Sequence, residues 1–226
     1  MRDDAEVTRE RMDPFSNPQD VARYAEGAPR NVPGYHAMQR MTTLLLSERV
    51  PEDARVLVLG AGGGLELKVF AEAHPNWAFD GVDPSAEMLK LAQRTLGPLA
   101  SRATLHQGYI GASPIGPFDA ATCLLTLHFL TLEERQRTAA EVHRRLKPGA
   151  PFVAAHFSIP QDDERAVWLS RFAAYAGIDP NQAAAIDSHL TILSPEQDEA
   201  ILREAGFSNV SLFYAGFTFR GWVAYA

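Results

Sequence analysis

Gly60, Gly62, Gly63 and Gly64, with Ala61 among them, stand between a short apolar run at 55–59 (RVLVL) and a helix-forming stretch from Leu65. After Arg55 the run has no polar face, as expected of a strand covered on both sides in a parallel sheet. Bare backbone after it lets a ligand approach closely. The following helix turns unpaired N–H groups and partial positive charge toward the same point. A chain with this junction is expected to be an α/β protein with its ligand at the C-terminal edge of the sheet.

The pattern around the junction extends that expectation. Apolar residues at helical spacing (Met38, Met41, Leu45) predict a helix over 36–49 after the turn signal NVPGY at 31–35. Downstream, helices are expected at 65–73, 85–96 and 132–146, the second with Ser85 as N-cap and the third closed by Lys147-Pro148-Gly149. Strands are expected at 77–82, 103–107, 118–125 and 151–157. Strands alternating with helices imply a doubly wound, mostly parallel sheet with right-handed crossovers. Residues 160–195 break the rhythm as a mostly helical insertion with Trp168, Phe172 and Tyr175 on one stripe. A helix over 196–205 and strands over 207–214 and 217–225, turning at Ala215-Gly216, complete the chain as a terminal antiparallel hairpin. Residues 1–31 are expected to be an N-terminal arm and 32–226 one domain.

Composition narrows the function classes. Of 226 residues, 46% are hydrophobic and 22% charged, a globular mixture, and the net charge of -7 disfavours direct nucleic-acid binding. The lone Cys123 excludes an intrachain disulfide and a multi-cysteine zinc site, and no metal site is expected. No apolar run reaches the ~20 residues of a membrane span, and the charged first residues do not resemble a leader, so a cytoplasmic location is expected.

Two cofactor classes compete for the glycine turn. The dinucleotide pattern Gly-x-Gly-x-x-Gly needs glycine at position 65, which is Leu65, and no Gly-Lys-Ser/Thr follows to make a phosphate loop. Asp83, in FDGVDPSAEML, falls at the tip of the second strand, where a carboxylate accepts from both ribose hydroxyls of an adenosine-bearing cofactor. A solvated loop aspartate is the alternative reading of that residue.

Together these features resemble the class I S-adenosylmethionine-dependent methyltransferases: Gly60 to Gly64, Asp83, FDAATCLLTLHFL with RRLKPGA, and the terminal hairpin. Within that class NVPGY, LTLHFLTLEERQ, KPGAPFVAAHFS and LREAGFSNVSLFYAGFTFRGWVA are similar to the carboxy-S-adenosylmethionine synthases of tRNA wobble-uridine modification. The resemblance implies a Rossmann-like sheet of seven strands with the last antiparallel, S-adenosyl-L-methionine as cofactor, and a small-molecule acceptor or a carboxylated cofactor as product. A non-catalytic S-adenosylmethionine-binding protein is a third reading. Carried over by position, Gly60, Ala61 and Gly62 lie along the methionine part, Asp83 and Pro84 meet the ribose, and Tyr109 and Ile110 flank adenine, with Gly64 also counted as cofactor-binding. Tyr35 reaches the cofactor from the N-terminal side, and Leu124 takes the place of a polar contact. The subgroup also tilts expectation toward a homodimer.

The sequence departs from the pattern at Val58, where an acid is usual, at Tyr109, where aspartate is common, and at Leu124. Ala183-Ala184-Ala185 stands where the synthase carries the arginine for its extra carboxylate, leaving Arg165 and Arg171 as the insertion's candidates for that role. Methyl transfer needs alignment more than acid–base chemistry, and a base matters only where the acceptor carries a proton. His128, beyond the fourth strand, and Tyr35 are the candidate catalytic residues, with His36, His156 and His189 as weaker ones. Each histidine also has a purely structural reading, and mid-strand Cys123 is expected to be buried and inert.

Overall fold

The computed structural model describes residues 15, 17, 21 and 27–226, so most of the expected arm over 1–31 lies outside the described residues. In chain order the elements are α1 (Tyr35–Ser47), β1 (Arg55–Leu59), α2 (Leu65–Ala73), β2 (Ala78–Asp83), α3 (Ala86–Leu96), β3 (Ala103–Gln107), β4 (Ala120–Leu124), α4 (Leu132–Arg145) and β5 (Pro151–Phe157). They continue with α5 (Arg165–Ala176), α6 (Pro180–His189), α7 (Pro195–Glu204), β6 (Ser208–Gly216) and β7 (Phe219–Tyr225). The strands form one seven-stranded sheet in the order β3-β2-β1-β4-β5-β7-β6, parallel through β5 and antiparallel at β7 and β6. This is the doubly wound α/β sheet with a terminal hairpin that the alternating pattern predicts.

Successive residues of β1 face opposite sides, and each side has its own core. Val56 and Val58 pack with Leu46, Leu67 and Phe70 under α1 and α2. Leu57 and Leu59 pack with Val142, Leu202 and Trp222 under α4 and α7. With both faces covered, a strand gains nothing from polar alternation, which is why β1, β4 and β5 are apolar along their buried length apart from Thr122 and His156. Helices α3, α4, α6 and α7 begin where capping side chains supply acceptors. Ser85 Oγ accepts from Met88 N–H, and Thr131 with Glu134, Asp179 with Gln182, and Ser194 with Gln197 form capping boxes.

Several boundaries differ from the sequence expectation. The hairpin turn falls at Phe217-Thr218 and not at Ala215-Gly216, because β6 stays paired through Gly216 and the chain reverses where Phe217 takes φ 49°. The fourth strand ends at Leu124 because Leu125 takes φ 57° and turns the chain out of the sheet. The insertion is two helices, α5 and α6, broken at Gly177 with φ 67°. The first helix starts one residue early, at Tyr35, behind left-handed Gly34. Among the described residues no helix is long and apolar enough to cross a membrane.

Candidate functional site at the switch point

Strand order reverses between β1 and β4, and the loops leaving their C-terminal ends diverge to leave a crevice. The glycine loop is tied down at its start, where Gly60 N–H and Ala61 N–H both donate to Val82 C=O, at 2.9 and 3.0 Å. Gly62 N–H then donates to Asp83 Oδ2 at 2.9 Å, while Ser85 N–H donates to Asp83 Oδ1 at 2.9 Å. One carboxylate therefore sets the glycine loop and the start of α3 together. Burial pushes the Asp83 carboxyl up to about 6, and the two backbone N–H bonds pull the other way.

Each glycine has its own reason. A Cβ on Gly60 would lie 1.9 Å from Thr126 Oγ1, and one on Gly64 would lie 2.8 Å from the Ala92 backbone. Both also hold positive φ, 70° and 76°. Gly64 thus serves the contact of α2 with α3, and it does not line the crevice.

A cavity of about 560 Å³ opens over the loop. Gly60, Gly62 and Asp83 line one end, and Phe157, Phe172, Phe219, Ile186 and Leu190 line the other, with His128 and His189 among them. A smaller cleft of about 40 Å³ adjoins it at Gly60 and Phe129, bounded by Pro84, Gly108, Tyr109 and Ile110. Among the described lining residues of either there is no lysine or arginine. Among the described residues nothing offers a diphosphate a counter-charge here, whereas a cofactor carrying a ribose diol and no phosphate meets the unused lone pairs of Asp83. The residues fit S-adenosylmethionine on that ground. Asp83 would hold the ribose, Pro84, Tyr109 and Ile110 would wall the base, and Gly60 and Gly62 would border the amino-acid tail.

Four of the residues carried over from the resemblance lie elsewhere. Leu124 is 3% exposed and packs in the core beneath α1, because side chains alternate along β4; its neighbour Leu125 lines the cavity instead. Tyr35 is 5% exposed and belongs to the same core, with its ring edge-on to His36, while Asn31 and Val32 of the preceding turn reach the cavity. Ala61 and Gly64 serve the loop's own packing. Sequence reasoning missed Thr126, Phe129, Phe157 and Phe219, all in the cavity wall. Phe15, from the arm, also lines it, with its ring edge-on to Phe129 at 5.4 Å and its carbonyl accepting from Ser85 Oγ at 2.5 Å. The apolar stripe of the insertion splits. Phe172 lines the cavity, Trp168 lies under Arg171 and Arg220, and Tyr175 is exposed.

His128 sits in the turn after β4, 4% exposed, with Nδ1 accepting from Phe157 N–H at 3.3 Å. Burial drives its basicity well below the ordinary histidine value, and the neighbouring His156 and Arg135 add to the shift. Behind it, Arg135 Nη1 donates to Asp198 Oδ1 at 2.6 Å, and His156 Nε2 lies 3.0 Å from the same oxygen. His156 therefore stands in a buried structural network outside the cavity wall. Burial likewise raises the Cys123 thiol pKa far above its usual value and keeps the thiol protonated.

Neither arginine of the insertion reaches the cavity. Arg165 bonds Asp187 and Gln161, and Arg171 stacks on Trp168. Ala185 and Ile186 form the wall where a carboxylate-binding side chain is absent.

The crevice and the sheet order are those of a methyltransferase-like fold. Residues 56–149 match the family model described as methyltransferase domain. The chain is 27% identical to the carboxy-S-adenosyl-L-methionine synthase of Chromohalobacter salexigens over 91% of this chain and 80% of that one. Against the synthase of Actinobacillus succinogenes the figures are 26%, 95% and 95%. Among solved structures, PigF with SAH aligns at TM-score 0.67 and 19% identity, over 95% of this chain and 61% of PigF. The S-adenosylmethionine-dependent methyltransferase SibL aligns at 0.59 and 20%, over 98% and 73%. The chain spans only about half of several other solved structures it matches, including 56% of one and 54% of another.

Proposed function

We propose that this protein transfers a methyl group from S-adenosylmethionine to a small, largely apolar acceptor. The observation that carries the proposal is a single cavity with the Asp83–glycine-loop end and a phenylalanine-rich end in direct continuity. The cofactor, when bound, supplies a methyl group on a sulfonium, activated enough that the protein has only to align the acceptor and exclude water. The apolar wall does both. Phe157, Phe172 and Phe219 shield the reacting end, and the insertion's α6 closes it from above with Ile186 and Leu190. The long similarity to carboxy-S-adenosylmethionine synthases supports a second reading, in which the cofactor itself is carboxylated. The alanine and isoleucine wall, free of arginine, weighs against it.

Isothermal titration with S-adenosylhomocysteine tests the first reading, with micromolar binding expected and no heat at millimolar ligand refuting it. Mass spectrometry of the copurified ligand separates the two. Unmodified cofactor or its homocysteine product is expected, and a carboxylated cofactor would establish the synthase.

A further inference from the structure

The backbone at the end of β4 determines which nitrogen of His128 carries its proton. Leu125 N–H closes the last rung between β4 and β5 on Ala155 C=O. The next N–H on that edge of β5 belongs to Phe157, and it has no β4 carbonyl to meet because Leu125, at φ 57°, has turned away. His128 Nδ1 takes the place of the missing carbonyl, accepting from Phe157 N–H at 3.3 Å. A neutral imidazole with a lone pair at Nδ1 carries its hydrogen at Nε2. The nitrogen left to a ligand is thus a donor, and a donor has no lone pair with which to take a proton.

We infer that His128 is a hydrogen-bond donor fixed by Phe157, not a general base, and that the acceptor is a planar phenol or enol bound as its oxyanion with that oxygen on Nε2–H. The inference rests on the methyltransferase reading of the cavity. Its walls suit such a ligand: Phe129, Phe157, Phe172 and Phe219 offer flat apolar surface, and among the described residues His189 and Asp83 are the other titratable groups in the lining. The groups against His128 from neighbouring elements are His156 on β5 and Arg135 on α4, whose charge disfavours a second proton on the ring. Asp83 lines the same cavity, with its oxygens on Gly62 N–H and Ser85 N–H. The chemistry balances without a base. An oxyanion lone pair forms the O–CH₃ bond, the electron pair of the broken S–CH₃ bond stays on sulfur, and no proton moves.

Two measurements test this, neither relying on turnover. Ring nitrogens of ¹⁵N-histidine protein, with His128 assigned from its loss in His128→Gln, are expected to show a neutral Nε2–H tautomer; an Nδ1–H tautomer overturns the proposal. The second uses 4-nitrophenol with sinefungin, a non-transferring cofactor analogue, following the visible phenolate band. Bound ligand is expected as phenolate, held about tenfold or more tightly by wild type than by His128→Asn, whose amide oxygen keeps the Phe157 bond but offers no donor at the Nε2 position. His128→Gln, which restores an N–H there, is expected to recover most of the affinity. Binding as neutral phenol, equal affinity in His128→Asn, or no binding of 4-nitrophenol each refutes it. The tautomer and the S-adenosylhomocysteine titration are independent, so a failed cofactor reading and a failed histidine assignment are distinguishable.

Discussion

Asp83 is the residue on which the cofactor end converges, because its two oxygens organise Gly62 and Ser85 while their remaining lone pairs face the cavity. Burial pushes its carboxyl up to about 6. Raised from a usual value of 3.8, it favours the empty folded state most below that value, and the contribution, about 3 kcal/mol at ~1.4 kcal/mol per unit, is lost as pH rises through about 6. Ribose hydroxyls donate hydrogen bonds and favour the ionised form, so binding recovers part of that loss. S-adenosylhomocysteine affinity is therefore expected to fall as pH drops below about 6, by up to roughly tenfold per unit. In Asp83→Ala the affinity is expected to fall about 10- to 100-fold at neutral pH and to lose this pH dependence. Calorimetry at acid and neutral pH checks both, and a flat wild-type profile would count against the assignment. Val58 is informative at the same scale. The usual acid is missing there, yet a buried carboxyl reappears as Glu66, beside Asp83 and beside Thr122, the residue that pairs with Val58 across β1 and β4. Burial, then the Asp83 charge, hold Glu66 well above the ordinary carboxylate range. Sequence position alone points to the strand, but the carboxyl comes from the first turn of α2.

At the scale of elements, the glycine loop combines a ligand-facing stretch with a packing device. Gly64 holds φ 76° and presses α2 onto α3, with no room for a Cβ against the Ala92 backbone. Gly64→Ala is expected to cost about 2–4 kcal/mol, from overpacking and from the left-handed backbone together. Thermal and urea unfolding measure it, and a loss under ~0.5 kcal/mol would show that α2 and α3 slide apart easily. The elements were legible in the sequence because period and punctuation are local: the strand runs, the capping residues and the glycine stops each sit within a few residues of what they determine. Spacing from a strand end also led to Asp83, Gly60, Gly62 and His128, and all four line the cavity. Phe157 and Phe219 were not legible, because each is an ordinary strand residue until β5 and β7 pair and bring both to the mouth of the cavity. Leu124 and Tyr35 failed in the opposite direction. A carried-over position says which loop approaches the ligand, but the side of the strand or helix that faces it depends on where β4 turns and how α1 docks.

The whole molecule is held behind the site by one buried charge network. Arg135 on α4 and Asp198 on α7 pair at 2.6 Å with side chains 1% and 2% exposed, and His156 on β5 meets the same carboxylate. Arg135 also donates to Thr191 C=O, and Thr191 N–H donates to His128 C=O at 2.9 Å, so the network runs from the outer helices to the cavity wall. Burial works against the charge on Asp198, but His156 and Arg135 outweigh it and hold the carboxyl below its usual range. A depressed carboxylate stabilises above its unfolded value and loses that contribution as pH falls through its folded one, so this part of the stability belongs to neutral pH and disappears in acid. Removing one partner is costlier than removing both, since a lone guanidinium left in the core keeps its full desolvation penalty. Asp198→Ala is expected to cost about 3–5 kcal/mol, a fall in Tm of roughly 10 °C or more for a chain of this size, whereas Arg135→Met with Asp198→Leu is expected to stay within ~2 kcal/mol of wild type. Calorimetric scans of the three proteins decide it. Equal losses in the single and double variants would mean that the helices are held by apolar packing alone, and that the charge pair does not brace the turn carrying His128.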